Sequence, residues 1–290
     1  MPPFYRFASR GVIIPFLKAV SRQKVEGLEN LPRDGGFIAV ANHLTDLDSL
    51  TTMRALVDVD IPAYSLAKST LFEVPVLGHV FKAGGQIPVY RGTERAGNSL
   101  IEAERRLRQG DVVMIFPEGT LSRDPLQWPM TGKTGAARLA MSTGVPILPM
   151  GQWGAQHILD TMGGGGFRPW PRKEVRVLMG EPFTLTERFG SDVEDRAQVV
   201  AATAEIMSRI TRLVEVLRGE KAPRPYDMRY DGDPGKDAKG RDQLGTRRPD
   251  PLPATDAAPA HAASSDAVTD SSGTDGAAPT GAAPENEGSR

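Results

Sequence analysis

Between residues 35 and 217 the chain alternates short apolar runs with longer amphipathic stretches, and this alternation restricts the available folds more than any other feature. "GGFIAVAN" (35–42), "GGQIPVY" (84–90), "DVVMIF" (111–116), "VPILPM" (145–150) and "EVRVLMG" (174–180) have the length and flanking turn residues of buried strands. Helices are expected at Ser49–Val57, Leu71–Lys82, Glu94–Arg108, Gly135–Ser142 and Val193–Leu217. Strand followed by helix, repeated, implies the α/β class: a layered, largely parallel or mixed β-sheet flanked by helices. Functional side chains in such sheets collect where strands end. His43, Arg91 and Glu118 fall at three of those ends.

Composition divides the chain. With 39% apolar residues in 290, the body can fill a core, but from Lys221 onward Pro, Ala, Gly, Ser and Asp dominate and large aliphatics almost vanish after Leu252. Such a segment cannot bury enough apolar surface to offset its ordering entropy, so residues 221–290 are expected to be a disordered tail. Removing the six acids and one base of residues 251–290 from the chain's 36 and 35 leaves 30 acids and 34 bases, a net of +4. That mild excess does not make the basic stripe nucleic acid requires, but it suits an anionic lipid surface or a phosphorylated substrate. Cysteine is absent, which excludes disulfides, thiolate zinc sites and cysteine nucleophiles and fits a reducing cytoplasm.

Every apolar run is interrupted well short of the roughly 18 residues a membrane-spanning helix needs. Residues 1–24 nevertheless interleave Phe4, Phe7, Val12, Ile13, Ile14, Phe16, Leu17 and Val20 with Arg6, Arg10, Lys18, Arg22 and Lys24. No small-residue cleavage site of a signal peptide follows, and the pattern suits an amphipathic segment lying in a membrane interface. The alternative is a helix packed on its own domain, which Pro15 opposes. Residues 25–220 then form the folded domain.

"NHLTDLD" (42–48) places His43 directly after a strand and five positions before Asp48. Residues five apart on one helix are separated by about 140°, so the two meet only if His43 ends the strand and Asp48 enters the next helix. Thr45 followed three residues later by Asp48 resembles a capping box. Two readings therefore stand: Asp48 orients a catalytic imidazole, or it merely caps a helix. Other motifs fall on spacing. "GKT" (132–134) has Gln127 where a phosphate loop needs glycine, Gly-x-Ser-x-Gly does not occur, and His79, His157 and His261 are too scattered to hold a metal. "GGGG" (163–166) reads as a mobile loop, and Trp128, Trp153 and Trp170 as core or surface aromatics that also suit a membrane interface.

Further blocks bear on the choice. "FPEGTLSRD" (116–124) ends a strand with Glu118 and then Gly119, where backbone can approach a ligand, and "GGQIPVYRG" (84–92) ends with Arg91, a planar fork suited to phosphate. With "VPILPM", these blocks in this order resemble the glycerolipid acyltransferases, specifically the bacterial 1-acyl-sn-glycerol-3-phosphate (lysophosphatidic acid) acyltransferases, over roughly residues 25–215.

The resemblance implies an acyltransferase of phospholipid biosynthesis, in which His43 deprotonates an acceptor hydroxyl and Asp48 holds the ring. The alkoxide attacks the thioester of acyl-CoA or acyl-acyl carrier protein, a co-substrate, with no other cofactor, no metal and no acyl-enzyme. The acceptor is lysophosphatidic acid and the product phosphatidic acid. Glu118 and Arg91 would hold the glycerol phosphate, with Thr120 beside them, and Gly119 and its neighbours would offer N–H groups to the oxyanion. The family has arginine after Gly-Thr, whereas Leu121 stands here, so Arg123 is expected to take over that phosphate contact; Pro88 and Tyr90 also depart from the family. Lys68 and Lys133 are further cationic candidates. The expected location is the cytoplasmic face of the cell membrane, peripheral or monotopic, with the membrane surface as partner and no nucleic acid. Acylation of another lysolipid or polyol, and a non-catalytic lipid-binding role, are the alternatives.

Overall fold

The protein is described by a computed structural model over residues 1–75, 77–90, 96–161 and 164–232. The chain opens with α1 (Pro3–Arg6), a π-helical stretch at Phe7–Ile13, and α2 (Ile14–Val20). Then follow β1 (Ser21–Glu26), β2 (Ile38–Ala41), α3 (Asp48–Val57), β3 (Ala63–Lys68), α4 (Leu77–Ala83), β4 (Ile87–Val89), α5 (Ala96–Arg108) and β5 (Val112–Ile115). The second half holds α6 (Gly135–Thr143), β6 (Ile147–Trp153), β7 (Leu159–Asp160), β8 (Gly166–Phe167), β9 (Lys173–Met179), α7 (Thr186–Phe189), α8 (Arg196–Arg218) and α9 (Met228–Asp231).

Among the described residues, seven strands form one sheet in the order β1-β9-β6-β2-β5-β3-β4. The five strands from β6 to β4 run parallel, while β9 pairs antiparallel to β6 and parallel to β1. This is the expected mixed sheet. Alternate residues of the central strands enter opposite layers: Ile38, Val40, Val113 and Ile115 join Leu107, Leu139, Met141, Ile206 and Ile210 from α5, α6 and α8. On the other face Ala39, Ala41, Val112 and Met114 pack with Ala55 and Leu56 of α3. Burial on both faces is why these strands read as continuous apolar runs rather than alternating ones. The 23-residue α8 begins where Asp195 accepts hydrogen bonds from the N–H groups of Ala197 and Gln198. It lies close against β6 at Gly151, where an added Cβ would stand 2.7 Å from Leu213 Cβ.

Four expectations need correction. Residues 21–24, assigned to the N-terminal segment, belong to β1; the polar pattern of this edge strand hid it. The rest of the segment packs one face on the domain, with Tyr5, Ile14, Leu17 and Val20 buried and the Tyr5 hydroxyl donating to Ala63 O at 2.9 Å. Pro15 stands at the junction where the π-helical stretch, whose Ile14 N–H donates to Ser9 O, passes into α2. Between Leu71 and Lys82 a 3-10 turn at Ser69–Phe72 precedes α4 instead of one helix, because Pro75 interrupts the run. Gly166, in the supposed mobile loop, pairs with Asp160 in a β7–β8 hairpin, whereas Met162 and Gly163 lie outside the described residues. Residues 221–232 are not tail: Tyr226 and Asp227 are buried. Residues 233–290 lie outside the described residues.

Candidate active site

The site assembles at the carboxyl edge of the parallel strands, where β2 and β5 lie side by side. Directly after β2, Asn42 acts as a side-chain rung between β2 and β6. Its Nδ2 donates to Gln152 O (3.0 Å), its Oδ1 accepts from Gln152 N (2.9 Å), and Gln152 Nε2 donates to Asn42 O (2.9 Å). Thr51 Oγ1 closes this buried network by donating to Gln152 Oε1 at 2.9 Å. These residues fix where β2 ends and therefore where His43 begins.

The imidazole of His43 stacks on Phe116, with ring centroids 4.2 Å apart, and its Nδ1 lies 3.2 Å from Asp48 Oδ2. The same Oδ2 accepts from Thr45 N at 2.8 Å and from Leu44 N. One oxygen of Asp48 therefore both meets the imidazole and holds the turn before α3. Only half of the capping box forms: Asp48 reaches back to the turn, but Thr45 Oγ1 donates to Leu159 O at 2.7 Å instead of capping α3. Burial pushes the Asp48 carboxyl up, and the bonds from His43, Thr45 and Leu44 pull against that shift. His43 Nε2 has no hydrogen-bond partner among the described residues, and the ring is 18% exposed.

Glu118 is elsewhere than expected. Its side chain is 1% exposed, with Oε1 accepting from His43 N at 2.9 Å and Oε2 from Met130 N at 3.1 Å. A carboxylate so enclosed does not reach a glycerol phosphate; it ties the first block to the third. Ser122 N adds a second tie by donating to His43 O at 2.6 Å. Burial, with Asp48 and Asp124 nearby, pushes the Glu118 carboxyl up to about 8. Sequence reasoning missed this because the partners are 75 and 12 residues away.

Gly119 takes φ +67°, and its N–H donates to Phe116 O at 2.9 Å, so that group is spent on a turn and is not offered to an oxyanion. A Cβ on Gly119 would stand 2.8 Å from Lys133 Cδ and 3.3 Å from its Nζ, so the Lys133 side chain lies along this turn. Thr120 follows, half-buried. Arg123 is half-buried on the same loop, its backbone N–H donating to Met130 Sδ at 3.1 Å. Lys68 is exposed at the end of β3, where it pairs with Val89 of β4. Arg91 lies outside the described residues. The structure thus joins His43, Asp48 and Glu118 by direct bonds and places Gly119, Thr120 and Arg123 on the adjoining loop.

Comparison with known proteins finds acyltransferases. The profile of the Acyltransferase family matches residues 22–153. The chain is 32% identical over 172 residues to the chloroplastic 1-acyl-sn-glycerol-3-phosphate acyltransferase BAT2 of Brassica napus, covering 59% of this chain and 46% of that protein, about half its length. It is 26% identical over 210 residues to the 1-acyl-sn-glycerol-3-phosphate acyltransferase of Bacillus subtilis, covering 72% of this chain and 96% of that protein. The crystal structure of the lysophosphatidic acid acyltransferase PlsC from Thermotoga maritima superposes with a TM-score of 0.55 at 26% identity, covering 74% of this chain and 83% of that one. By sequence and by fold, residues 22–153 of this chain resemble the acyltransferase family.

Proposed function

We propose that the protein transfers an acyl group from acyl-CoA or acyl-acyl carrier protein to the sn-2 hydroxyl of 1-acyl-sn-glycerol-3-phosphate, giving phosphatidic acid. The observation that carries this reading is the state of His43: Nδ1 against a fully buried Asp48 carboxylate, Nε2 unpaired and reachable. In this geometry Asp48 accepts from Nδ1–H, which fixes the tautomer and leaves the Nε2 lone pair to take the hydroxyl proton. The alkoxide oxygen forms the new bond to the thioester carbonyl, and the C–S bond breaks as the tetrahedral intermediate collapses. The imidazolium, stabilised by Asp48, returns its proton to the departing thiolate. With the Gly119 N–H committed to Phe116 O, the Thr120 N–H is the oxyanion donor in this scheme. Lys68, Arg91 and Arg123 supply positive charge for the acceptor phosphate, and Glu118 acts by holding His43 in place.

The same reading takes the protein to a membrane surface, at the cytoplasmic face as a peripheral or monotopic enzyme. No described helix is long and apolar enough to cross a membrane. The N-terminal helices instead pack one face and expose Phe4, Phe7 (67%), Val12 and Phe16 on the other. Phe16 stacks on Phe167 (centroids 6.2 Å), and Phe167 and Trp170 (71%) extend the exposed apolar area, with Arg168 and Arg172 alongside. Apolar rings amid basic side chains match the requirements of an anionic lipid interface.

The test is incubation of purified protein with oleoyl-CoA and, separately, lysophosphatidic acid and monoacylglycerol, followed by lipid mass spectrometry. Phosphatidic acid is expected, and His43→Ala should lower its formation by at least about a hundredfold while the fold survives. A wild-type preference for monoacylglycerol would move the assignment to a neutral acceptor. A folded His43→Ala variant with near-normal turnover would remove the mechanism.

A further inference from the structure

After α8 the chain folds back on the domain. Ala222 N donates to Glu215 Oε1 at 2.9 Å, Arg224 pairs with Asp231, and the Tyr226 hydroxyl donates to the carbonyls of Asp231 (3.0 Å) and Gly232 (3.1 Å). Asp227 caps α9 by accepting from Arg229 N. These bonds close residues 222–232 into a compact strap, with Tyr226 only 5% exposed.

The strap lies along the loop that carries Glu118. Tyr226 forms a parallel bridge with buried Met130, and Thr131 N donates to Tyr226 O at 2.9 Å. Met130 N in turn donates to Glu118 Oε2, and Glu118 Oε1 accepts from His43 N. A continuous path of short contacts therefore runs from Tyr226 through Met130 and Glu118 to the backbone of His43. A second hold acts beside it. The guanidinium of Arg218, at the end of α8, lies 3.9 Å from the Trp128 ring centroid and 4.4 Å from that of Trp153, and donates to Leu126 O at 2.8 Å. The 117–134 loop is thus gripped at Leu126–Trp128 and again at Met130–Thr131, on either side of the peptide that binds Glu118.

We propose that the strap Ala222–Gly232 is a positioning element for the catalytic histidine, with Tyr226 as its anchor. The proposal rests on the acyl-transfer reading above and extends it to residues well beyond the family-matched region 22–153. The physical reason is that Glu118 is buried with, among the described residues, a single N–H for each oxygen. If Met130 drifts, one carboxyl oxygen is left unsatisfied in a low-dielectric site, and the other end of the carboxyl no longer holds His43 in register. A reacting nitrogen misplaced by about 1 Å can cost on the order of a hundredfold in rate.

Full-length Tyr226→Ala, Tyr226→Phe and Arg224→Ala test this. Tyr226→Ala should lower kcat by about ten- to a hundredfold while both KM values stay within about threefold, because alignment is lost and binding is not. Tyr226→Phe keeps the packed ring and should recover most of the rate. Arg224→Ala opens the ion pair with Asp231 without emptying a core site, and should give an intermediate loss. Amide hydrogen exchange supplies a readout independent of activity: in Tyr226→Ala the His43 and Met130 amides should exchange faster by a common factor. A folded Tyr226→Ala variant with wild-type kcat, or unchanged exchange at both amides, overturns the proposal. Should that variant not fold, wild-type kcat and unchanged exchange in Arg224→Ala overturn it equally. Absence of acyl transfer in the wild type refutes the proposed function, and the exchange data still decide the strap.

Discussion

Replacing Glu118 by glutamine separates the brace from an ordinary surface carboxylate. The side chain is 1% exposed and accepts one N–H on each oxygen, from His43 and Met130. Glutamine keeps one acceptor and turns an –NH2 toward the other N–H, so one buried donor loses its partner at a cost of roughly 1–3 kcal/mol. The pH dependence is more diagnostic. The folded-state pKa is about 8 against an ordinary 4.5, so folding takes up a proton in the window between those values. The contribution of Glu118 to stability is complete below the ordinary value and is lost as pH rises through the folded value, at about 1.4 kcal/mol per pH unit inside the window. Glutamine does not titrate. Urea unfolding of both proteins at pH 5, 6, 7 and 8 should therefore show the variant weaker at pH 5, the gap closing as pH rises and changing sign before pH 8. Two stability curves that stay parallel across this range would refute the buried, proton-binding assignment of Glu118.

Asp48→Asn should lower both turnover and melting temperature, because one oxygen of Asp48 serves the ring of His43 and the N–H groups of Leu44 and Thr45; paired kinetic and thermal measurements check it, and intact activity would leave only the capping role. Gly119→Ala adds a Cβ 2.8 Å from Lys133 Cδ at a backbone φ of +67°, so activity should drop and stability should fall by about 1 kcal/mol or more, read by kinetics and denaturant melts. Vesicles of anionic phospholipid should shift the fluorescence of Trp170 to shorter wavelength, because it is the exposed tryptophan while Trp128 is buried and both Trp128 and Trp153 pack on Arg218; Trp170→Phe should abolish the shift. Deleting residues 233–290 should leave the melting temperature and kcat unchanged, since that composition supplies no core, and a fall in either would show that the segment contributes.

What the sequence determined by itself was whatever depends on near neighbours. Apolar runs bounded by turn residues placed β2, β5 and β6, which are buried on both faces and so apolar throughout, and also β4 and the alternating β9, whose inward side is apolar. The five-residue interval from His43 to Asp48 admitted a strand-end histidine meeting a helix-entry carboxylate, and the two meet. Edge strand β1 escaped notice because its exposed side chains are polar, and its pairing with β9 joins residues about 150 apart. The role of Glu118 was likewise undecidable locally: whether a glutamate at a strand end faces substrate or the interior depends on which N–H groups the fold brings to it. Those come from His43, 75 residues earlier, and from Met130, itself held by Tyr226 in a segment whose composition suggested no structure at all. Tertiary structure decided these points because a carboxyl group enters a protein interior only where distant backbone donors are already in place to receive it.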